Sequence, residues 1–322
     1  MSGDSAGRVG VVAIGRNEGA RLAACLGAIP GGVGPVVYVD SGSTDGSPEL
    51  ARGMGARVVV LDPARPYTAA RARNAGAAAL GDGVEFVQFV DGDCTLTEGW
   101  IAASVAFLEA HPEVAVVCGR RRERCPEASV YTRLVDREWD RPPGPTAACG
   151  GDALMRAGAF AAVGGFDEGL IAGEEPELCG RLRAAGWQIH RLAEEMTVHD
   201  IAMTRFGQWW RRSRRGGFAA AQGAARHHRA DARAQRRRAL LWGLELPAVA
   251  LAGLAVSPWA LLLLLALPAQ VVRLALREGA GRRASWEWAL FTTLGKTAEA
   301  LGVVEYHTRR LTGRVARLIE YR

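Results

Sequence analysis

The sequence predicts an α/β protein with a mixed, mostly parallel sheet, followed by a helical and strongly apolar C-terminal region. Over residues 9–110, short apolar runs alternate with helical patterns, which is typical of parallel strands joined by helices. After Ala239 the chain is almost continuously apolar as far as Leu276, as in helices that enter a membrane. A chain of 322 residues is long enough for one large α/β domain with an appendage.

Four short apolar runs predict the first four strands of the sheet. They lie at residues 9–14, 36–39, 57–61 and 86–90. Helices are expected between them, at residues 20–28, 48–54 and 67–80, with Gly, Pro and Ser clusters at the boundaries. Beyond the fourth strand we expect a helix at 100–110, a strand at 114–118 and a helix at 157–162. Residues 120–146 are charged and proline-rich, which indicates a flap or a short amphipathic helix around 131–139.

Polar side chains follow three of these strands at the point where each strand ends. Asn17 and Glu18 follow the first strand, Asp40 follows the second, and Asp91 and Asp93 follow the fourth. Because ligands collect at the carboxyl ends of parallel strands, these side chains indicate a binding site at one edge of the sheet. No G-x-G-x-x-G follows the first strand and no G-K-[ST] phosphate loop occurs, so dinucleotide-binding and P-loop proteins lose support.

The stretch V-D-G-D places two carboxylates on either side of Gly92. Glycine lets the backbone bend sharply, so that Asp91 and Asp93 can converge on one hard cation such as Mg²⁺ or Mn²⁺. Asp and Gly are also ordinary turn residues, and a plain turn is the alternative.

Arginine supplies nearly all the positive charge of a chain with a formal net charge of +6. Clusters of arginine at 120–124, 211–215 and 236–238 suit phosphate-bearing ligands or an anionic membrane surface, and genome composition is the alternative explanation. The six cysteines show no C-x-x-C pair and no zinc-binding spacing, which favours buried free thiols in a reducing compartment. The N-terminus has no apolar signal core, so we expect the catalytic part in the cytosol.

Six motifs occur in the order found in the family 2 glycosyltransferases. They are V-V-A-I-G-R-N-E, V-Y-V-D-S-G-S-T-D-G-S, A-R-A-R-N-A-G, F-V-D-G-D, V-G-G-F-D-E and G-E-E-P-E-L-C-G-R-L-R-A-A-G-W, over residues 9–187. The chain therefore resembles this family, which has the GT-A fold. The resemblance implies a nucleotide-diphosphate sugar donor, a divalent metal (Mg²⁺ or Mn²⁺) and inversion at the anomeric carbon, with no nucleic-acid partner.

The resemblance also implies roles for individual residues on the donor side. Asp40 matches the position that contacts the nucleobase, with Ser41 beside it in the same loop. Asn17 and Glu18 match the loop that lines the nucleoside pocket. Arg73 and Asn74 match a helix that faces the nucleotide and its diphosphate. The full set of implied donor-binding residues is Asn17, Glu18, Asp40, Ser41, Arg73, Asn74 and Asp91.

Metal-binding and catalytic residues follow from the same match. Asp91 and Asp93 match the metal-binding carboxylates, with Asp93 expected to touch the ion directly. His199 matches a histidine that completes the metal shell in some relatives, and a plain partly buried histidine is the alternative. Glu174 and Glu175 match the family's Glu-Asp pair, which holds the general base, and we favour Glu175. Glu175 stands where Asp is usual, and the alternative is that both acids cap the following helix.

The predicted domain organisation has four parts. Residues 1–204 form the GT-A domain, 205–238 a basic interfacial segment, 239–277 a hydrophobic helical hairpin, and 278–322 an amphipathic helical tail. Basic residues on both flanks of the hairpin predict that it spans the membrane with its turn at residues 257–258. A buried helical pair or a hairpin that dips into one leaflet is the alternative. Trp209 and Trp210 belong to an interfacial helix or to an acceptor shelf.

Together these observations predict a membrane-anchored inverting glycosyltransferase with a cytoplasmic catalytic domain and an envelope-glycan or lipid-linked acceptor. A nucleotidyltransferase also uses an Asp pair and a metal at a sheet edge, but the glycine-rich basic loop expected after its first strand is missing. A non-catalytic sugar-binding protein on the same fold is a third reading. The retained acids Asp91, Asp93, Glu174 and Glu175 argue against it.

Overall fold

A computed structural model describes residues 7–227 and 229–313, and in these residues nine strands form one mixed sheet. The strands are β1 (Val9–Gly15), β2 (Val36–Asp40), β3 (Arg57–Val60), β4 (Phe86–Asp91), β5 (Cys94–Leu96), β6 (Val114–Glu123), β7 (Gly144–Pro145), β8 (Ala153–Arg156) and β9 (Gln188–His199). Their order is β3-β2-β1-β4-β8-β6-β9-β5, with β7 paired to β9.

Helices cover the sheet and continue beyond it. In the first part of the chain they are α1 (Ala20–Gly27), α2 (Ser47–Gly53), α3 (Ala69–Leu80), α4 (Trp100–Ala110), α5 (Val130–Trp139), α6 (Ala157–Ala162) and α7 (Glu174–Ala184). The later helices are α8 (Phe206–Arg226), α9 (Ala230–Leu240), α10 (Leu246–Gly253), α11 (Ala266–Arg277) and α12 (Arg283–Leu311). The chain divides into two compact units, the first ending at Ala202 and the second beginning at Met203.

The parallel strands β3, β2, β1 and β4 determine where the polar loops meet. In the register of the sheet, Gly15 at the end of β1 pairs with Asp40, and Ile14 pairs with Asp91. Parallel pairing therefore brings the ends of β1, β2 and β4 to the same edge, as their sequences predict. Apolar side chains of β1, β2 and β4 are buried on both faces, as expected for parallel strands covered by helices, whereas β3 is a partly exposed edge strand.

Strands β6 and β9 are longer than the sequence pattern suggests. The segment at 120–123 belongs to β6 rather than to a flap, because it pairs with β9, where Arg121 lies opposite Thr197 and Glu123 opposite His199. Side chains alternate along this segment, so that Arg121 and Glu123 are buried while Arg122 is exposed. The short helix foreseen around 131–139 is present as α5.

Helices α8 and α12 of the second unit pack with their backbones in close contact. A Cβ on Gly217 would lie 1.9 Å from the carbonyl oxygen of Glu299, and one on Gly302 would lie 2.0 Å from that of Arg214. Trp209 is buried and its ring lies 5.0 Å from that of Phe291. Trp209 therefore belongs to the packed interior of this unit and not to an exposed acceptor shelf, while the interfacial helix stays a prediction.

The two halves of the predicted hairpin differ in helix length and regularity. Among the described residues, one helical stretch is long and apolar enough to cross a membrane, Pro258–Arg277, and only 6% of its apolar window is buried. The first half is interrupted by a π-helical turn at Leu241–Glu245, just before Pro247. Such a turn accommodates a proline, which lacks an N–H and clashes with the preceding helical turn. Residues 314–322 of the predicted tail, and residues 1–6 of the predicted N-terminus, lie outside the described residues.

Gly76 offers a test of the packing of α3 on the sheet. A Cβ at Gly76 would lie 2.2 Å from Cγ1 of Val12 and 3.0 Å from Cγ2 of Val39. We expect Gly76→Ala to lower the free energy of unfolding by about 1–3 kcal/mol, because overpacking forces the strands apart. Gly180→Ala is the matched control, since its Cβ would meet nothing within 4 Å. It should leave stability unchanged or raise it by up to about 1 kcal/mol in denaturant titrations of the full chain. Equal losses in the two variants would contradict this packing.

Candidate active site

The loop after β2 is held by the carboxylate of Asp40, which is buried. The Tyr38 hydroxyl donates to Oδ1 at 3.1 Å, and the backbone N–H groups of Gly42 and Ser43 donate to Oδ2 at 2.9 and 2.8 Å. The backbone N–H of Ser41 donates to the carbonyl of Gly15 at 3.0 Å. Asp40 therefore fixes the shape of its own loop, as an Asp at the start of a turn does.

Asn17 ties the loop after β1 to the loop after β2. The backbone N–H of Thr44 donates to Oδ1 of Asn17 at 2.8 Å, and the backbone N–H of Asn17 donates to Oγ of Ser43 at 2.9 Å. Asn17 has a positive φ of 55°, a conformation that Asn tolerates better than most residues. Glu18 is buried and pairs with Arg21 at 2.9 Å. The predicted donor residues Asn17, Asp40 and Ser41 thus form one connected rim.

Asp93, His199 and Glu123 form a buried row of polar side chains. His199 Nε2 lies 3.3 Å from Oδ2 of Asp93, and its Nδ1 contacts Oε1 of Glu123. The second oxygen of Glu123 accepts from the N–H of Ile201 at 3.4 Å. Burial lowers the pKa of His199, but the carboxylates of Asp93 and Glu123 outweigh it, so the pKa lies above its ordinary value. Glu123 fixes the ring so that Nε2 faces Asp93.

Asp93 and His199 fit a divalent cation. Two ligand atoms that share one octahedral Mg²⁺-sized ion, with bonds of about 2.1 Å, lie about 3 Å apart. The separation of 3.3 Å between Asp93 Oδ2 and His199 Nε2 is close to that value. A ligating histidine is typically oriented by a carboxylate at its other ring nitrogen, the place that Glu123 occupies.

Asp91 is held by two buried arginines. Arg73 Nη2 lies 2.7 Å from Oδ1, and Arg121 Nη2 lies 3.4 Å from Oδ2. Burial raises the pKa of Asp91, but the two guanidinium groups outweigh it and hold the pKa below its usual range. The Nε atoms of both arginines are buried and form no hydrogen bond in the described residues. Asp91 therefore stays ionised beside Asp93.

Arg73 also joins the two acidic ends of the site. Its Nη1 donates to Oε1 of Glu174 at 2.7 Å, on the first turn of α7. The guanidinium also lies over the ring of Phe166, 5.6 Å from its centre. Arg73 thus links the end of β4 to the start of α7. Asn74, its neighbour, uses its amide to bind the backbone N–H and C=O of Phe166, both at 2.9 Å, so it holds the G-G-F-D loop.

Glu175 differs from Glu174 in its surroundings. Glu174 pairs with Arg73, whereas Oε1 of Glu175 accepts the backbone N–H of Cys149. Burial raises the pKa of Glu175 above its ordinary value, although hydrogen bonds from Gly150 and Cys149 oppose the shift. A carboxylate with a raised pKa accepts protons more readily than one paired with an arginine.

Sequence reasoning missed Arg121 and Glu123, and the structure also places Asp152 at this site. Asp152 is buried and accepts from the N–H of Asp91 and from the hydroxyl of Thr197, both at 2.9 Å. Arg121 lies 3.6 Å from Asp152 as well. With these contacts, Asp152 holds the backbone of Asp91 in place. The run R-R-R-E shows no alternation of apolar and polar residues, so its sequence resembles a loop rather than a half-buried strand.

Comparison with known proteins identifies the fold and a sequence similarity. Residues 14–162 match the family model described as glycosyl transferase family 2. The first unit therefore contains a glycosyl transferase family 2 domain over these residues. Its GT-A fold agrees with the mannosyltransferase PcManGT from Pyrobaculum calidifontis, solved with GDP-Man and Mn²⁺, at a TM-score of 0.61 and 20% identity over 92% of this chain and 87% of the other. TarS 1-349 of S. aureus, solved with UDP-GlcNAc, gives a TM-score of 0.50 at 14% identity over 95% and 92%.

Two curated relatives match about half of this chain at 32% identity. One is the pre-mycofactocin glycosyltransferase of Mycobacterium tuberculosis (strain ATCC 25618 / H37Rv), over 169 residues, which are 49% of this chain and 35% of the relative. The other is the succinoglycan biosynthesis protein ExoA of Rhizobium meliloti (strain 1021), over 167 residues, which are 48% and 50%. The match thus spans half or less of the length of either relative.

Arg121 and Arg122 provide a matched pair for testing the buried charges of the family 2 domain. Arg121 faces Asp91 and Asp152 inside the fold, whereas Arg122 forms an exposed pair with Glu195. We expect Arg121→Met to cost about 3 kcal/mol of unfolding free energy or more, because it leaves buried carboxylates uncompensated. Arg122→Met should cost about 1 kcal/mol or less. Denaturant titration measures both, and similar losses would contradict the assigned burial of Arg121.

Proposed function

We propose that this protein transfers a sugar from a nucleotide-diphosphate sugar to a hydroxyl group of an acceptor, with inversion at the anomeric carbon. The observation that carries the proposal is the double pairing of Arg73 with Asp91, which is followed two residues later by Asp93, and with Glu174, which precedes Glu175. Asp93 in turn lies 3.3 Å from His199. The resemblance assigns metal, donor and base roles to these side chains, and they come from separate elements of the fold. Two structural neighbours, one solved with GDP-Man and Mn²⁺ and the other with UDP-GlcNAc, support a nucleotide-sugar donor.

Asp93 and His199 are the proposed ligands of a Mg²⁺ or Mn²⁺ ion, with Asp91 beside them. When bound, such an ion neutralises the charge that develops on the departing diphosphate. The protein side chains prepare for it: Glu123 fixes the His199 ring, and Arg73 and Arg121 keep Asp91 ionised and in place. The rim formed by Asn17, Asp40 and Ser41 is the proposed nucleoside pocket.

Glu175 is the proposed general base. An acceptor hydroxyl is a poor nucleophile, and a carboxylate within hydrogen-bond reach must take its proton as the bond to the sugar forms. Glu174 is bound to Arg73 at 2.7 Å, so its carboxylate is already occupied by a guanidinium. The raised pKa of Glu175 suits the role better.

The second unit supports a membrane location and an acceptor at the membrane. Several apolar side chains on Pro258–Arg277 are exposed, including Trp259, Leu265 and Leu276, and Val256 just before this stretch is exposed as well. An exposed apolar surface of this extent indicates a lipid or protein contact. We propose that this segment inserts into the cell membrane, that the catalytic domain is cytoplasmic, and that the acceptor is an envelope glycan or a lipid-linked glycan. The name of the relative ExoA, a succinoglycan biosynthesis protein, supports an envelope polysaccharide.

A screen of nucleotide sugars tests the reaction directly. Detergent-solubilised protein with Mn²⁺ should release nucleoside diphosphate from one donor class, slowly without an acceptor and faster with one. Release of pyrophosphate from a nucleoside triphosphate would instead identify a nucleotidyltransferase. Binding of a nucleotide sugar without any turnover would indicate a non-catalytic sugar-binding protein.

Glu175→Gln tests the assignment of the base. We expect a loss of transfer of roughly a hundredfold or more, the scale of a lost general base, with donor affinity near the parental value. In the parent, transfer should fall as the pH drops through the pKa of Glu175, because the base acts when deprotonated. That acid limb should lie at a higher pH than for an ordinary glutamate, since the pKa is raised.

Glu174→Gln is the comparison variant, because it breaks the pair with Arg73 and should chiefly lower stability. Parental transfer by Glu175→Gln together with loss of transfer by a folded Glu174→Gln protein would move the base one residue earlier. Activity in both variants would show that the two acids only cap α7.

Single-cysteine labelling tests insertion of the segment Pro258–Arg277. Cys125 is the one exposed cysteine of the six, so Cys125→Ser gives a quiet background. In sealed vesicles, Ser257→Cys and Gly281→Cys should react with an impermeant reagent from opposite sides if the helix crosses the membrane. Labelling of both sites from the same side would support a segment that only dips into one leaflet.

A further inference from the structure

A second cluster of ligand atoms lies behind Glu175, apart from Asp93 and His199. Cys149 precedes β8, and Cys179 lies on α7 one turn after Glu175. The two sulfur atoms are 3.6 Å apart, and Cys179 Sγ lies 3.7 Å from Oε1 of Glu175. The three ligand atoms lie within 4.8 Å of one another.

These separations match the edges of a tetrahedral zinc site. Zinc binds sulfur at about 2.3 Å and carboxylate oxygen at about 2.0–2.2 Å, which places tetrahedral ligands about 3.8 Å apart for S···S and about 3.5 Å for S···O. The observed 3.6 and 3.7 Å agree with these edges to a few tenths of an ångström. A disulfide, in contrast, needs a sulfur separation of about 2.05 Å, so the two thiols must approach by about 1.5 Å.

The chemistry of the ligands separates this cluster from the Asp93 site. Two thiolates select soft cations such as Zn²⁺, whereas carboxylate and water ligands suit Mg²⁺ and Mn²⁺. Cys149 and Cys179 are buried, while Glu175 is only partly buried, so the open side of the cluster lies at the carboxylate. A water molecule on that side can supply a fourth ligand.

We propose that Cys149, Cys179 and Glu175 bind one thiophilic divalent cation, with Zn²⁺ as the representative ion, and that the bound ion inhibits sugar transfer by occupying Glu175. Binding releases the two thiol protons to solvent, because the ligands are thiolates. The inhibition rests on the proposed function of Glu175 as the base, whereas the binding does not. The cluster escapes sequence reasoning because its cysteines are 30 residues apart, outside any zinc-binding spacing.

The test measures cation binding separately from catalysis. Reduced full-length protein carrying Cys125→Ser is titrated with Zn²⁺ against a chromophoric chelator, and with Co²⁺ to read thiolate ligation by absorbance. We expect the tightest site of the chain to show a Co²⁺ spectrum of two thiolate ligands and to release two protons per ion. Cys149→Ser and Cys179→Ser should each weaken zinc binding by at least about tenfold. Losing a residue that only orients a metal ligand already lowers metal affinity by about tenfold or more, and these variants lose a ligand itself.

Cys94→Ser is the matched control, because Cys94 is also buried and lies with Asp93 and His199 in the other cluster. It should keep the zinc site. Zinc binding that is lost in Cys94→Ser and kept in Cys149→Ser would overturn the proposal, as would a parental Co²⁺ spectrum without thiolate ligation. The parental spectrum decides even if a cysteine variant does not fold.

Transfer assays with Mn²⁺ then test the inhibition. Zn²⁺ at the concentration that fills the site should reduce the parental rate of transfer by at least about tenfold. Each rate is divided by the rate of the same protein without zinc. On this scale, Cys179→Ser should lose much less of its rate than the parent. Full occupancy with an unchanged rate would leave the cation site in place but overturn the inhibition and the role of Glu175 as base. Absence of binding with normal transfer would overturn the cation site and leave the proposed function intact.

Discussion

The site depends on the buried guanidinium of Arg73. Carboxylates from different elements meet at one edge of the sheet, and like charges brought together inside a protein repel strongly unless they are paired. Arg73 binds Asp91 and Glu174 at once, each at 2.7 Å, and Arg121 supports Asp91 from the opposite side. Because Arg73 joins the end of β4 to the start of α7, the same interaction sets the spacing between the proposed donor and acceptor sides.

This charge pattern divides the acidic residues by role. Asp91 and Glu174 are neutralised by arginine, whereas Asp93 lies 3.3 Å from a histidine whose orientation is set by Glu123. Glu175 accepts backbone hydrogen bonds, and within the described residues no ion pair joins it to an arginine. Glycines make the close approach possible, since a Cβ on Gly151 would lie 2.6 Å from Nη2 of Arg73. In the proposed function, this arrangement leaves Asp93 for a cation and Glu175 for a proton.

Local patterns predicted the elements that local physics determines. The strand ends carrying Asp40 and Asp91, the helix bearing Arg73 and the acidic start of α7 could all be read from the sequence. The partners of these residues could not, because Glu123 meets His199 across 76 residues through the register of β6 and β9, which only the folded sheet defines. The burial of Trp209 depends likewise on α12, far along the chain.

The most direct measurement is calorimetric binding of a nucleoside diphosphate with and without Mn²⁺ to the parental protein and to Asp93→Asn. If Asp93 and His199 hold the cation, Mn²⁺ strengthens nucleotide binding in the parent, and this strengthening disappears in Asp93→Asn while the fold is retained. Equal strengthening by Mn²⁺ in both proteins would contradict the account, because the cation would then be held elsewhere.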